Sequence, residues 1–265
     1  MAGIVWGCGC ATGPVPAARR SLELTYLGVA GWKLTDGEHV VLVDPYFSRP
    51  ADTHHPKTDE AAVAAHAPPR ADLILIGHAH FDHALDAAAV SLRTGALVVG
   101  SAELAGTLRA SGVSEGRIRT VSGGEWIRLP GVAVRVVPSK HSLIGPENGE
   151  DVQTFAYFIQ MGGEEFLVMD TPNYIAEELE KVRPAFVIAA NGSWQKQLPD
   201  YTCGLMRALG QPKLVIATHF DDFKKPAGLP LTQGALEELR GFEAEIRRCS
   251  PGSRLLIPKA FEPFR

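Results

Sequence analysis

Four side chains that commonly bind metals fall within six residues of this chain. His78, His80, Asp82 and His83 follow a short apolar run at residues 73–76. Residues two apart in an extended segment point to the same side, so His78 and His80 can share one cation. Asp82 and His83 come after the chain begins to turn and can face a second cation beside the first. Imidazole with carboxylate suits zinc first, with iron or manganese as further options.

A histidine cluster can also be packed against its neighbours without any ion. Four polar groups at the end of a buried strand are costly, however, unless a ligand satisfies them. The short apolar run with turn residues beside it predicts such a strand directly before the cluster. We therefore favour a metal site over a satisfied group of histidines.

The pattern HxHxDH resembles the signature of the metallo-β-lactamase superfamily of metal-dependent hydrolases. That family needs three more ligands at later strand ends: a histidine, a bridging aspartate and a last histidine. The chain has all three in this order, each where a predicted strand stops: His141, Asp170 and His219. The resemblance covers nearly the whole chain from about Leu22 onward.

The resemblance implies a site for two divalent metal ions, with zinc expected and manganese or iron as alternatives. It assigns His78, His80 and His141 to the first ion, and Asp82, His83 and His219 to the second, with Asp170 bridging them. A water or hydroxide between the ions is the expected nucleophile, because two cations lower the pKa of water towards neutrality. Asp82 and His219 are the candidate catalytic residues, and Asp82 can also guide a proton to the leaving group.

The same resemblance implies an α/β fold of the α+β kind, a four-layer αββα sandwich. Strands predicted over residues 22–27, 32–35 and 40–43 precede alternating strands and helices and a β-rich middle. Helices are predicted over residues 84–92, 103–110, 201–209 and 234–241. We expect one domain over residues 21–265, preceded by a flexible segment at residues 1–20.

Composition excludes several classes of protein. Hydrophobic residues make up 45% and charged residues 21%, as in an ordinary globular protein. The net charge of −4 gives no reason to expect nucleic-acid binding. No apolar run approaches the roughly 18 residues of a transmembrane helix. The four cysteines (Cys8, Cys10, Cys203 and Cys249) have the spacing of neither a disulfide framework nor a zinc ribbon, so no cysteine ligand is expected.

Residues 1–20 have an apolar start and then a stretch rich in Ala, Pro and Gly. A small residue before Cys8 or Cys10, followed by such a linker, is similar to the cleavage end of a bacterial lipoprotein signal. The basic start and long apolar core of a complete signal are missing. Two locations therefore stay open: a lipoprotein of the cell envelope, and a bacterial cytoplasmic protein with a floppy N-terminus.

Several polar residues outside the ligand set have two interpretations each. Asp44 follows the third strand and either fixes a histidine tautomer or simply starts a turn. Asn191 ends another strand and either donates to a substrate oxyanion or belongs to a turn. His54 and His55 lie in a long loop, where exposure to solvent is favoured over substrate contact.

The stretch from His219 to Phe223 resembles the branch near L-ascorbate-6-phosphate lactonases and N-acylphosphatidylethanolamine phospholipase D. Within it, Asp221 or Asp222 could orient His219 or cap the next segment. The branch implies a hydrolase of a small-molecule or lipid-like ester: a lactone, a phosphodiester or a phospholipid. It points away from β-lactam cleavage. The alternatives are a nuclease of the same superfamily, which lacks a clear basic stripe here, and a non-catalytic metal-binding protein.

Overall fold

The computed structural model describes residues 21–141, 152–191 and 199–265. Its strands form two seven-stranded sheets. The first sheet holds, in spatial order, β14 (Pro263–Phe264), β1 (Glu23–Gly28), β2 (Gly31–Thr35), β3 (Val40–Val43), β4 (Leu73–Leu75), β5 (Leu97–Gly100) and β6 (Ile118–Thr120). The second holds β13 (Arg254–Leu256), β12 (Leu214–Thr218), β11 (Phe186–Ala190), β10 (Glu164–Met169), β9 (Thr154–Met161), β8 (Val132–Ser139) and β7 (Trp126–Leu129). The α-helices of the described ranges are α1 (Glu60–His66), α2 (Phe81–Ala84), α3 (Ala87–Thr94), α4 (Ala102–Ala110), α5 (Ala176–Leu179), α6 (Tyr201–Ala208) and α7 (Gln233–Cys249).

Each sheet is antiparallel in one part and parallel in the other. In the first sheet, β1 to β3 form an antiparallel meander, and β3 to β6 run parallel. The turn between β2 and β3 contains Gly37 at φ 88°, and an Asp-Gly pair such as Asp36-Gly37 favours a hairpin turn of this kind. In the second sheet, β7 to β10 are antiparallel and β10 to β13 are parallel. The carboxyl ends of the parallel strands therefore share one edge in each sheet.

The sheets pack face to face over an apolar core that includes Trp32, Tyr157 and Phe166, none of them more than 1% exposed. A second cluster packs α1, α3 and α4 on the outer face of the first sheet. A third packs α5, α6 and α7 on the outer face of the second sheet. The order helix, sheet, sheet, helix confirms the predicted αββα sandwich.

The predicted helix over residues 84–92 is instead two helices, α2 and α3, with a break at Asp86. The Asp86 carboxylate is fully buried and accepts hydrogen bonds from the backbone N–H groups of Phe47 and Ser48, both at 2.7 Å. The Ser48 hydroxyl also donates to it, at 2.6 Å. These long-range bonds hold Asp86 outside the helix.

Two other elements differ from the sequence prediction. Helix α7 continues well beyond residue 241, because Leu239, Phe242 and Ile246 extend its buried face. The short strand β14 was not predicted, and it pairs with β1 at the edge of the first sheet. A strand of two residues has too little periodicity to be recognised in a sequence.

The cysteine spacing indicated no disulfide framework, but one pair of the described cysteines is bonded. Cys203 on α6 and Cys249 at the end of α7 form a disulfide, with their Cα atoms 5.1 Å apart. Their sequence separation of 46 residues is not a recognisable spacing, so the pairing depends on how α6 and α7 pack. Cys8 and Cys10, with the rest of residues 1–20, lie outside the described residues.

Within the described ranges, no helix combines the length and the apolar character that crossing a bilayer requires.

Candidate metal centre

The seven residues predicted as ligands meet at one edge of the sandwich, where strands of both sheets end. The first sheet contributes the residues after β4, and the second contributes those after β8, β10 and β12. Their donor atoms lie within 4.8 Å of one another in three groups: His78, His80 and His141; His78, His83 and Asp170; and Asp82, His83 and His219. Because the groups share His78 and His83, they form one continuous cluster.

The hexapeptide divides its side chains between two directions. His78 and His80 have ring centroids 4.7 Å apart, and the His141 ring lies 4.7 and 4.5 Å from them. Helix α2 then starts at Phe81 and turns the chain. As a result, Oδ2 of Asp82 lies 3.6 Å from Nε2 of His83, on the other side of the cluster. The extended segment followed by a turn thus gives the predicted pair of groups.

Asp170 lies between these two sides. Its Oδ2 is 2.7 Å from Nδ1 of His78 and 3.4 Å from Nδ1 of His83. Gly77 allows this close approach, because a Cβ atom at that position would overlap the carboxylate of Asp170. Even the more distant carboxylate oxygen, Oδ1, would lie only 2.9 Å from that Cβ atom. The chemistry of the site therefore depends on a glycine directly before the first histidine.

Two buried polar atoms at the centre have no hydrogen-bond partner among the described residues. They are Nε2 of His78 and Oδ1 of Asp170. Leaving a buried polar group unsatisfied costs about 1–3 kcal/mol, so such atoms are rare unless they serve a ligand. An imidazole nitrogen and a carboxylate oxygen both bind divalent ions of the zinc type. The residues present therefore fit a divalent metal.

The electrostatics of the cluster prepare it for cations. Burial lowers the pKa of His78 and His83, so both rings are neutral and have a free lone pair. Burial opposes ionisation of Asp82, but the neighbouring His83 and His219 outweigh it and lower the pKa of this carboxyl. Burial also lowers the pKa of His219, but the hydrogen bond and charge of Asp82 raise it overall. Burial raises the pKa of Asp170, whose negative charge is penalised until a cation lies beside it.

Asp44 supports His83 from behind. Its Oδ2 lies 3.0 Å from Nδ1 of His83, and its Oδ1 accepts a 2.8 Å hydrogen bond from the backbone N–H of Gly77. The side chain is fully buried, and burial followed by the charge of Asp170 raises its pKa. Of the two interpretations of Asp44, the structure supports the one in which it fixes a histidine tautomer.

His219 is held in place through its backbone. It adopts a φ of 55°, and its N–H donates to the carbonyl oxygen of Val29 at 2.6 Å. Oδ1 of Asp221 in turn accepts hydrogen bonds from Val29 N–H at 2.8 Å and from the Tyr26 hydroxyl at 2.5 Å. Asp221 therefore orients the segment that carries His219, whereas Asp222 accepts from the N–H of Lys224 and caps the next turn. No sequence signal identified Val29 or Tyr26, because they act through contacts about 190 residues away in sequence.

The other polar candidates lie in different environments. His54 and His55 are exposed, and the backbone N–H groups of both donate to Oδ1 of Asp52 in a local turn. Asn191 is fully buried at the end of β11, and its side-chain oxygen and nitrogen have no partner in the described part of the chain. Residues 192–198, directly after Asn191, and residues 142–151, directly after His141, lie outside the described residues.

Solved structures with the same fold include two proteins of known class. Igni18, a metallo hydrolase from the archaeon Ignicoccus hospitalis, aligns with a TM-score of 0.63 at 18% identity, over 92% of this chain and 98% of that one. CmlA, a di-iron β-hydroxylase from Streptomyces venezuelae, aligns with a TM-score of 0.65 at 18% identity, over 96% of this chain and 55% of that one. At this identity the likeness shows the fold alone.

Sequence comparison gives a closer relationship. A metal-dependent hydrolase of Anaeromyxobacter sp. (strain K) is 28% identical over 255 residues, which cover 89% of this chain and 87% of the relative. A metal-dependent hydrolase of Rubrobacter xylanophilus is 27% identical over 242 residues, covering 88% of this chain and 96% of the relative. The family model of the beta-lactamase superfamily domain matches residues 39–221, which is more than half of the chain. The chain therefore belongs to the metallo-β-lactamase superfamily of metal-dependent hydrolases.

Proposed function

We propose that this chain holds two divalent ions and uses them to hydrolyse an ester-type bond in a small-molecule or lipid-like substrate. The observation that carries this proposal is the cluster of seven donors in overlapping groups, with two buried central atoms that have no partner among the described residues. In this proposal His78, His80 and His141 hold one ion, Asp82, His83 and His219 hold the other, and Asp170 touches both. Zn²⁺ suits this donor set first, and Mn²⁺ or iron are the alternatives.

The ions would supply Lewis acidity and a lowered pKa for water at the site. The chain itself supplies proton handling and orientation. Asp82 keeps its charge because its pKa is lowered, so its carboxylate is available to an ion. In this proposal Asp82 also guides a proton to the leaving group. Nε2 of His219 lies 3.6 Å from Oδ2 of Asp82, and this contact fixes the direction of the carboxylate. Asp44 fixes the tautomer of His83 in the same way from the opposite side.

The substrate class follows from the residues around His219 and from the charge of the chain. The names of the relatives give the reaction class, metal-dependent hydrolysis, without a substrate. The stretch from His219 to Phe223 favours a lactone, a phosphodiester or a phospholipid through its resemblance to the branch named above. The net charge of −4 supports a substrate other than nucleic acid.

The test combines metal analysis with a panel of substrates. Protein purified without added metal is analysed by mass spectrometry for metals, and is assayed against a phosphodiester, a lactone, a phospholipid and a chromogenic cephalosporin. We expect about two ions per chain and hydrolysis of one ester class that a chelator abolishes. His80→Ala and Asp170→Ala should each lose metal and turnover. The proposal is contradicted if the protein keeps its turnover after each of these substitutions. It is also contradicted if the protein takes up no metal from added zinc or manganese.

We also propose that the chain works in the bacterial cell envelope. The disulfide between Cys203 and Cys249 supports this, because disulfides persist in oxidising compartments and are rare in the cytosol. The lipoprotein-like sequence around Cys8 and Cys10 favours the same location. Alkylation of free thiols in freshly lysed source cells should leave Cys203 and Cys249 unmodified. Full alkylation of both would favour the cytoplasm instead.

A further inference from the structure

A cavity of about 440 Å³ opens at the edge of the sandwich opposite the metal centre. Its wall on the second sheet includes the first residues of three parallel strands: Phe186 on β11, Leu214 on β12 and Arg254 on β13. The candidate metal ligands follow the carboxyl ends of strands, at the other edge. The volume is within the range of about 300–1,000 Å³ that is typical of small-molecule sites. The cavity is therefore a second, separate pocket.

Short edge strands leave the space between the sheets open at this corner. Strand β14 is the edge of the first sheet and has two residues, and β13 is the edge of the second sheet and has three. β14 pairs with β1 only at Leu24 and Thr25. Neither edge strand is long enough to close the gap between the sheets, so solvent reaches part of the core from here.

The interior of the cavity is apolar. Its inner wall consists of side chains that belong to the core between the sheets or pack against it: Leu24, Phe186, Leu214, Ile216, Leu256 and Phe264. Among the lining residues, all of which the structure describes, none has a buried polar side-chain atom without a hydrogen-bond partner. The inner part thus suits a hydrocarbon chain and has no unsatisfied group for a polar ligand.

Arg254 is the exception to this apolar lining. Side chains alternate between the two faces of a strand, and on β13 Leu256 packs against the core between the sheets, whereas Leu255 packs with the helices outside. Arg254 therefore lies on the inner face with Leu256. Its guanidinium has no ion pair with another described residue. An arginine in this position lays its alkyl stem along the apolar wall and has its donors free at the rim.

The other charged groups at the rim leave Arg254 without a counter-ion. Arg265 is paired, because its Nη2 lies 3.4 Å from Oε2 of Glu23. Glu164 is the one acidic residue that lines the cavity, and it begins β10, three strands from β13, or roughly 14 Å by the spacing of strands. A guanidinium binds a carboxylate through two parallel hydrogen bonds. The cavity thus combines an apolar interior with a donor for a carboxylate at its open end.

We propose that this cavity binds a single-chain alkyl carboxylate, as in a medium-chain fatty acid. The hydrocarbon chain lies between the sheets, and the carboxylate accepts hydrogen bonds from the guanidinium of Arg254 at the rim. An inward-facing charge on an edge strand can also deter pairing with another chain, but that role needs no cavity behind the arginine. The inference is independent of the proposed ester hydrolysis, because the cavity and the metal centre lie at opposite edges of the sandwich.

The test is isothermal titration calorimetry of the metal-loaded protein with hexanoate, octanoate and decanoate, at concentrations below those at which micelles form. The affinity should rise roughly fourfold for each added methylene group, because each one is buried in the apolar interior. Decyltrimethylammonium has the same chain with the opposite charge, and it should bind at least about 10-fold more weakly than decanoate. Protein that has been stripped of metal with a chelator and dialysed should bind decanoate as the metal-loaded protein does.

Two substitutions separate the contributions of the rim and the interior. Arg254→Gln should weaken decanoate binding about 10-fold and leave 1-decanol binding unchanged, because only the carboxylate uses the guanidinium. Leu256→Trp fills the apolar part and should weaken the binding of both. Arg240→Gln, which removes an exposed arginine of α7, is the matched control and should bind decanoate like the wild type. Circular dichroism checks folding, and Arg254→Gln alone decides the question if Leu256→Trp folds poorly.

Three outcomes would overturn the assignment. Equal decanoate affinity in Arg254→Gln and in the control would leave Arg254 only as a charge that protects the edge strand. Decanoate binding that survives Arg254→Gln but disappears when the metal is removed would assign the carboxylate to the metal centre. If residues 1–20, which precede Ser21 at the rim, or a second copy of the chain occupy the cavity instead, decanoate will not bind.

Discussion

Replacing Asp44 with asparagine should remove metal affinity without removing the fold. The substitution keeps the size of the side chain, and the amide oxygen can still accept from the N–H of Gly77, 2.8 Å away in the native structure. The other end of the amide then places an N–H group opposite Nδ1 of His83, where the native carboxylate oxygen lies at 3.0 Å. That N–H must donate, so Nδ1 becomes the acceptor and the proton of the ring moves to Nε2.

The tautomer change reaches the metal centre directly. Nε2 is the atom of His83 that faces Asp82, at 3.6 Å, and a protonated Nε2 has no lone pair for an ion. Losing a carboxylate behind a metal-binding histidine typically costs 10- to 100-fold in metal affinity, or about 1.4–2.7 kcal/mol. Of the two ions proposed above, we expect Asp44→Asn to weaken the one assigned to Asp82 and His83 by this amount, and the one assigned mainly to His78 and His80 to change less.

The assay is a competition titration of each ion against a chromogenic chelator, with circular dichroism as a check on folding. Asp36→Asn is the matched control, because Asp36 is also buried and its Oδ2 lies 3.2 Å from Nδ1 of His39. Asp36 precedes strand β3 and Asp44 follows it, so the two carboxylates lie at opposite edges of the sheet. The control should keep the metal affinity of the wild type. Equal metal affinity in Asp44→Asn and wild type, with the fold intact, would refute the tautomer argument.

Three further predictions concern other parts of the molecule. Gly77→Ala should lower the metal content without unfolding the chain, because the new methyl group displaces the Asp170 carboxylate. The control, Gly106→Ala, adds a methyl group in open space on α4 and should bind metal normally in the same metal analysis. Reduction of the disulfide between Cys203 and Cys249 should lower the free energy of unfolding by about 4 kcal/mol, the value expected for a separation of 46 residues. This loss corresponds to a Tm lower by about 7 °C in calorimetry, and an unchanged Tm would contradict the prediction. Metal binding should weaken progressively as the pH falls below about 6.5, because protons compete for the imidazole lone pairs and burial lowers the pKa of His78 and His83, and a calorimetric affinity that is constant from about pH 6.5 to about 4.5 would rule out histidine ligation.

The sequence predicted the parts of the site that depend on local spacing. His78 and His80 lie in an extended segment and point to one side, and the turn into α2 directs Asp82 and His83 to the other side. The structure has this division. Asp170 and His219 each come directly after an apolar run, so their places at strand ends follow from the ends of β10 and β12. Such features are visible because they repeat with the period of the backbone.

Features that depend on contacts between distant segments were not visible. The buried carboxylate of Asp86 splits a run that has good helix propensity, and its partners at residues 47 and 48 lie 39 and 38 residues away. The disulfide has the same origin, since packing of α6 on α7 brings Cys203 to Cys249. Asn191 could be recognised as a strand-end amide, but its burial depends on distant segments, and none of the described residues gives its side chain a hydrogen-bond partner.

The division of the donors between the two sheets has a consequence for the order of assembly. The residues from His78 to His83 follow β4, whereas His141, Asp170 and His219 follow strands of the other sheet. An ion that binds donors of both sheets therefore cross-links them. The complete set of donors comes together only when the sheets have packed. Because such an ion binds the packed sheets more tightly than the separated ones, its binding free energy adds to the stability of the native state.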